Sequence, residues 1–194
     1  MKIVIIIAVT LVIGVVCFQA YMSKASSDVE QHKYTVVKKY KDFEVRQYET
    51  AIFSSVKIPS DTYKESANQG FRTLAGYIFG GNEKNEKIAM TSPVAMELGD
   101  TTTMSFMVPS GRSMESLPKP NSNKITFEKQ EGKKMAAIQF DGWADDKKIA
   151  EYTERLKLAL KSENIQHTGK FIYFGYNAPF DLINRRNEIA VEVL

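Results

Sequence analysis

The sequence predicts an α+β fold: a distorted antiparallel β-barrel of two pseudo-symmetric repeats flanked by two main α-helices, preceded by an N-terminal membrane helix. Three observations lead to this prediction. An apolar run opens the chain, two amphipathic helix patterns stand far apart in the body, and short strand-like segments flank each helix. Because the order strand, strand, helix, strand, strand occurs twice, the pattern indicates two copies of one unit packed about an approximate twofold axis.

Composition limits the classes of function. The chain has 194 residues, enough for one well-cored domain, and carries 26 Lys and Arg against 23 Asp and Glu, with the signs interleaved. A nucleic-acid binder would concentrate its positive charge, so no nucleic-acid partner is expected. Cys17 is the single cysteine, and the chain has two histidines, so neither a disulfide, a Cys-rich metal site nor a histidine-based catalytic centre is expected. We therefore predict a protein without enzymatic activity.

The apolar run from Ile3 to Met22 is long enough to cross the ~30 Å hydrocarbon core of a bilayer as a helix. We predict an uncleaved single-pass anchor over residues 1–23, a polar linker over residues 24–33 and a folded domain over residues 34–194. The folded domain would then be tethered to a membrane, and the sequence does not establish on which side. Two alternatives stay open: a signal peptide cleaved after Ala25, which would release a secreted or periplasmic protein, and lipoprotein processing at Cys17.

The first repeat contains the first helix pattern. The predicted helix, Asp61 to Phe79, has a capping box formed by Thr62 and Glu65, and Gly80-Gly81-Asn82 ends it. Gly70 and Gly76 inside the helix indicate close packing on a sheet, or the approach of a flat ligand. The strands of the first repeat are predicted at Tyr34–Tyr48 (two strands), Ala51–Ile58, Lys87–Leu98 with an edge or bulge at Pro93, and Thr103–Val108.

The second repeat follows a Pro-rich surface connection, residues 109–123. Its predicted elements are strands Lys124–Gln130 and Lys134–Gly142, helix Asp145–Glu163, and strands Lys170–Asn177 and Asn187–Val193. A barrel with one helix of each repeat on its outside would bury both amphipathic faces. The cleft where the repeats meet is then the expected place for a ligand.

Three segments carry a resemblance to a known family: Gly70–Met96, Phe140–Ala144 and Gly175–Val193 resemble the SOUL family of haem-binding proteins. The succession of the helix, the double glycine, Met-Thr-Ser-Pro-Val and a C-terminal Arg-Arg-Asn-Glu is specific to that family. The resemblance implies non-covalent binding of haem or a related tetrapyrrole in a hydrophobic cleft. The protein would act as a carrier, buffer or sensor at a membrane.

The resemblance also implies a site, between the first helix and the loop that precedes the last strand. Phe71, Leu74, Ala75, Ile78 and Phe180 would form its apolar wall, and Arg72, Arg185 or Arg186 would meet the propionates. Met90 is a further candidate, because a thioether can ligate iron or line an apolar cleft. Gln47 occupies the position of the family's iron-ligating histidine, so mainly hydrophobic capture is expected.

Competing interpretations remain for the arginines and for the function. Arg185 and Arg186 can equally form a structural ion pair with Glu188. The two-repeat architecture is also similar to bacterial effector-binding domains, some of which bind or hydrolyse a small cationic amphiphile with buried acidic residues. A protein-interaction domain without a small ligand is the third interpretation.

Overall fold

A computed structural model describes residues 7, 13–14, 29–60, 62–99, 101–178, 181 and 184–194. Within these residues, no helix combines the length and apolar character needed to span a membrane. The predicted membrane anchor, residues 3–22, falls almost wholly outside the described part of the chain. A membrane helix is therefore not supported, and tethering stays a prediction.

Two α-helices and eleven strands are the main elements of the described domain, which also has a short 3-10 helix, Met114–Ser116. The helices are α1 (Tyr63–Ile78) and α2 (Asp146–Ser162). The strands are β1 (Glu30–Gln31), β2 (Tyr34–Lys39), β3 (Glu44–Tyr48), β4 (Ala51–Ile58), β5 (Thr91–Ser92), β6 (Val94–Glu97), β7 (Thr102–Met107), β8 (Ile125–Gln130), β9 (Lys134–Asp141), β10 (His167–Gly175) and β11 (Arg186–Val193).

One sheet of nine antiparallel strands, in the order β2-β3-β9-β11-β10-β6-β7-β4-β8, contains most of the domain. From β3 to β8, each strand and its counterpart in the other repeat lie at equal distances from the middle of the sheet. The corresponding pairs are β10 and β6, β11 and β7, β9 and β4, and β3 and β8, so the approximate twofold axis passes between β10 and β6. Strands are exchanged between the repeats: β3 of the first repeat pairs with β9 of the second, and β8 of the second repeat pairs with β4 of the first. Among the described strands, β2 and β8 are edges that do not pair with each other. The predicted barrel is thus an open, curled half-barrel.

The sheet has one face covered by helices and one face without them. α1 packs on β4 and β7 of its own repeat, and α2 packs on β9 and β11. The main hydrophobic core lies between the sheet and the helices, where Leu74 of α1 and Leu156 and Leu160 of α2 are fully buried. We call the other side of the sheet the helix-free face.

The observed elements differ from the predicted ones in three places. Thr62 precedes α1 but its side chain makes no capping hydrogen bond, so the predicted capping box is wrong. Instead, the carboxylate of Asp146, at the start of α2, accepts a 2.6 Å hydrogen bond from the Tyr63 amide. The predicted strand Lys87–Leu98 is two strands, because Pro93 has no amide proton to continue the pairing; β6 is moreover a central strand, not an edge.

The third difference concerns the predicted linker. Residues 29–33, the last part of the predicted linker, belong to the described domain. β1 pairs in parallel with β5, and the amide of His32 donates to the carbonyl of Ser92 at 2.9 Å. This pairing holds the segment against the sheet.

Candidate functional site

The helix-free face contains a cleft of about 490 Å³, which we call the sheet cleft. Its floor crosses the junction between the repeats, where Phe174 of β10 pairs with Ala95 of β6, and Ala95 pairs with Ser105 of β7. Ser105 in turn pairs with Ser55 of β4, and their hydroxyl oxygens are 2.7 Å apart. Small side chains therefore occupy the middle of the floor, and this leaves the cleft open.

The walls of the sheet cleft are mainly apolar and aromatic near the junction of the repeats. The apolar and aromatic residues that line it are His32, Tyr48, Phe53, Pro93, Ala95, Met135, Ile172 and Phe174. Met135 and Phe174 point to this face because their neighbours in sequence, Ala136 and Tyr173, belong to the main core on the other side. The alternation of side chains along each strand thus builds a second apolar surface opposite the helices.

His32 is held in this wall by both its backbone and its ring. The ring packs at 4.9 Å from Tyr48 and 5.4 Å from Phe53, measured between centroids. Its Nε2 lies 2.8 Å from the carbonyl oxygen of Glu49. Because a carbonyl only accepts, Nε2 carries the proton and Nδ1 keeps a free lone pair. Burial lowers the pKa of His32 and outweighs the opposing effect of the bond to Glu49.

Charged side chains line the outer parts of the sheet cleft. Three are lysines: Lys57, Lys133 and Lys170. Five are glutamates: Glu49, Glu97, Glu128, Glu131 and Glu192. Within the described residues, Glu131 and Glu192 form ion pairs with lysines, whereas Glu49, Glu97 and Glu128 form none. The cleft therefore offers an apolar centre with charges of both signs around it.

A buried ionic cluster lies on the same face of the sheet. The Glu188 carboxylate is fully buried and accepts hydrogen bonds from Arg46 Nη1 at 2.7 Å and from Arg186 Nη2 at 2.7 Å. The hydroxyl of Tyr176 donates to it at 2.8 Å. Burial disfavours the charged form of both arginines. The contact with Glu188 nevertheless raises the pKa of Arg46, and the contacts with Tyr176 and Glu188 raise the pKa of Arg186. The negative charge of Glu188 is thus paired with two guanidinium groups of the protein, and its carboxylate is not available to a cationic ligand.

The residues predicted on the first helix lie mostly in the core. Leu74, Ala75 and Ile78 are buried between α1 and the sheet, while Phe71 is half-buried against Phe106 with 5.5 Å between ring centroids. Arg72 is exposed. Gly70 faces the sheet so closely that an added Cβ would lie 2.9 Å from Ile58 Cδ1, so packing, not a ligand, accounts for this glycine.

The other predicted residues do not form a single cavity with the whole set of helix residues. Met90 is half-buried and shares with Ile78 the lining of a void of about 10 Å³. Arg185 donates to the carbonyls of Ala178 and Asp181, and its guanidinium carbon lies 4.0 Å from the centroid of Trp143. It shares a shallow depression of about 380 Å³ with Arg186, which pairs with Glu188. Phe180 lies outside the described residues.

Sequence reasoning missed the sheet cleft and His32. His32 stands in a short polar stretch before the first predicted strand, and its aromatic partners follow 16 and 21 positions later. In the sequence, His32 is recognisable only as a histidine just before a β-rich segment. That pattern does not distinguish a residue that lines a binding cleft from a residue of a solvent-exposed linker.

A two-repeat α+β domain with an open cleft at the junction of its repeats is typical of a protein that binds a small ligand. The model of the SOUL heme-binding protein family matches residues 29–192. Heme-binding protein 2 of Mus musculus is 31% identical over 156 residues, which cover 76% of this chain and 76% of the relative. The chain therefore belongs to the SOUL haem-binding family.

Solved structures show the same fold at low identity. The C-terminal domain of EcmrR matches with a TM-score of 0.62 at 10% identity, covering 83% of this chain and 98% of that chain. A hydrolase from Listeria innocua matches with a TM-score of 0.59 at 10% identity, covering 81% and 94%. At this identity the likeness establishes the α+β half-barrel and nothing about the ligand.

Proposed function

We propose that this protein binds haem or a related tetrapyrrole non-covalently in the sheet cleft. The observation that carries the proposal is an open cleft of about 490 Å³, lined in part by apolar and aromatic side chains, in a member of a haem-binding family. This volume lies within the roughly 300–1,000 Å³ typical of small-molecule sites.

The residues of the cleft fit the parts of an amphiphilic macrocycle. Phe53, Phe174 and Ile172 offer apolar surface to the faces of a ring system. Lys57 and Lys170, which make no ion pair among the described residues, can meet two propionates at the rim. When bound, haem supplies iron for redox or diatomic-ligand chemistry; the chain supplies burial, orientation and charge pairing.

The biological role that follows is that of a non-catalytic carrier, buffer or sensor. Such a role requires the ligand to be bound, buried and released, and requires no chemical step on it. If residues 3–22 anchor the chain, this binding takes place at a membrane surface.

Hemin titration of the full-length chain in mild detergent tests the proposal. We expect a saturable shift and sharpening of the Soret band, with an endpoint near one hemin per chain and quenching of Trp143 fluorescence. Protoporphyrin without iron should also bind, because most of the contact is apolar. A linear, unsaturated response to both compounds would contradict the proposal.

Two variants in the same titration compare the cleft with the site implied by the family resemblance. Met90→Ala and Arg185→Ala lie outside the sheet cleft and should leave the dissociation constant for hemin within about twofold, as expected of sites without contact. A loss of binding in both variants, with intact circular dichroism, would move the ligand to the side of α1 and the loop after Asn177.

A second candidate function has a specific observation in its favour. Glu49, Glu97 and Glu128 line the sheet cleft without a cationic partner among the described residues, which suits a small cationic amphiphile. Rhodamine 6G, a fluorescent lipophilic cation, should then bind saturably, and Glu97→Gln should weaken it. If haem is the ligand, Glu97→Gln should leave hemin binding unchanged or strengthen it, because a repulsive charge near the propionates is removed.

A further inference from the structure

We propose that His32 is the protein ligand of haem iron in this chain, coordinating through Nδ1. This inference rests on the proposed function, and it assigns an iron ligand in place of Gln47, the position that the family resemblance implies for one. The side chain of Gln47 faces away from the sheet cleft. Its neighbours along β3, Arg46 and Tyr48, lie on the helix-free face, and side chains alternate between the two faces of a strand.

The geometry of the ring is the first argument. Ligating histidines generally donate their second ring nitrogen to a backbone carbonyl or a carboxylate, which fixes the tautomer and the orientation of the ring. His32 already makes this bond, from Nε2 to the carbonyl of Glu49 at 2.8 Å. Nδ1 is then the nitrogen with an available lone pair, in a residue that lines the sheet cleft.

The rigidity of the position is the second argument. The His32 amide donates to Ser92, and the Glu49 amide donates to Lys33, so the ligand and its orienting carbonyl are tied to one another through the backbone. Tyr48 and Phe53 hold the ring from two sides. A preorganised ligand loses little conformational entropy on coordination.

The other potential donors in the cleft are less suitable. The hydroxyl of Tyr48 accepts a hydrogen bond from Arg46 at 3.3 Å. Met135 is 7% exposed and offers a thioether, which is a weaker partner than imidazole for ferric iron. Among the described residues that line the sheet cleft, His32 is the one imidazole.

Spectroscopy of His32→Ala in the full-length chain tests the assignment, with His167→Ala as the matched control. His167 is the other histidine of the chain; its Nδ1 accepts a bond from the Gly169 amide, and it does not line the sheet cleft. We expect wild type and His167→Ala to share one ferric spectrum with nitrogen coordination in electron paramagnetic resonance. His32→Ala should lose that signature, and added imidazole should restore it.

Affinities separate coordination from packing. His32→Ala should weaken hemin binding by about tenfold or more, because even the loss of a group that only orients a metal ligand typically costs about 10–100-fold in metal affinity. Iron-free protoporphyrin should bind His32→Ala and wild type alike, which also shows that the variant folds. An unchanged ferric spectrum in His32→Ala would overturn the assignment and leave the proposed function standing; absence of hemin binding in wild type would overturn both.

A measurement on chains that retain His32 identifies the ligand if His32→Ala does not fold. Labelling histidine with ¹⁵N should change the nitrogen hyperfine couplings of ferric haem in wild type and in His167→Ala. Couplings unaffected by the label would exclude histidine as the ligand.

Discussion

Replacing Glu188 with alanine is expected to lower the free energy of unfolding by about 3–5 kcal/mol, the usual cost of breaking a buried ion pair from one side. The carboxylate is fully buried and holds Arg46, which is 4% exposed, and Arg186. Without it, Arg186 would have no ion-pair partner among the described residues, and the buried Arg46 would keep only Glu44, whose Oε2 lies 3.0 Å from its Nε. Urea unfolding of the full-length chain, followed by circular dichroism, measures the loss.

Glu192→Ala is the matched control, because Glu192 lies on the same strand and the same face of the sheet. Its partner is Lys133 at 3.1 Å, and both side chains are more than a third exposed. An exposed pair of this kind contributes about 0–1 kcal/mol. Equal losses in the two variants would show that the cluster around Glu188 does not stabilise the sheet.

Ala95→Trp is expected to abolish hemin binding, with a dissociation constant raised roughly 100-fold or more, which corresponds to about 2.8 kcal/mol. Ala95 lies in the middle of the cleft floor, between Phe174 and Ser105. An indole there would occupy the space that the small side chains leave open. Because the ring enters a cleft and not a packed core, we expect the urea midpoint to change little. Fluorescence and Soret titrations measure the effect.

Ala150→Trp provides the same substitution on the exposed surface of α2, beside a depression formed by α2 and β10. It should bind hemin as wild type does. Loss of binding in Ala150→Trp together with normal binding in Ala95→Trp would place the ligand on the helix side of the sheet.

The helices and the two repeats were predictable because their signals are local. Leu74 and Ile78 of α1, and Leu156 and Leu160 of α2, are each four positions apart, and burying them requires a sheet alongside. Strand pairing between the repeats was not predictable: β3 joins β9 and β8 joins β4 across long separations, and no local pattern encodes those choices.

The cleft escaped prediction for a related reason. In β9, Met135, Ala136, Ala137 and Ile138 are all buried, so the strand shows no alternation that would reveal a second apolar face. The cleft depends on small residues, Ala95, Ser105 and Ser55, that meet only once three strands are aligned. The capping of α1 by Asp146 likewise joins residues 83 positions apart.

Leu74, Ala75 and Ile78, the apolar wall implied by the family resemblance, lie on the opposite face of the sheet from the sheet cleft, so the position of the iron decides between the two sites. Crystals of the full-length protein grown with hemin, recorded at the iron absorption edge, give that position directly. We predict an anomalous peak within the sheet cleft, beside His32 and above Ala95 and Phe174. A peak between α1 and the loop that carries Arg185 would contradict binding in the sheet cleft.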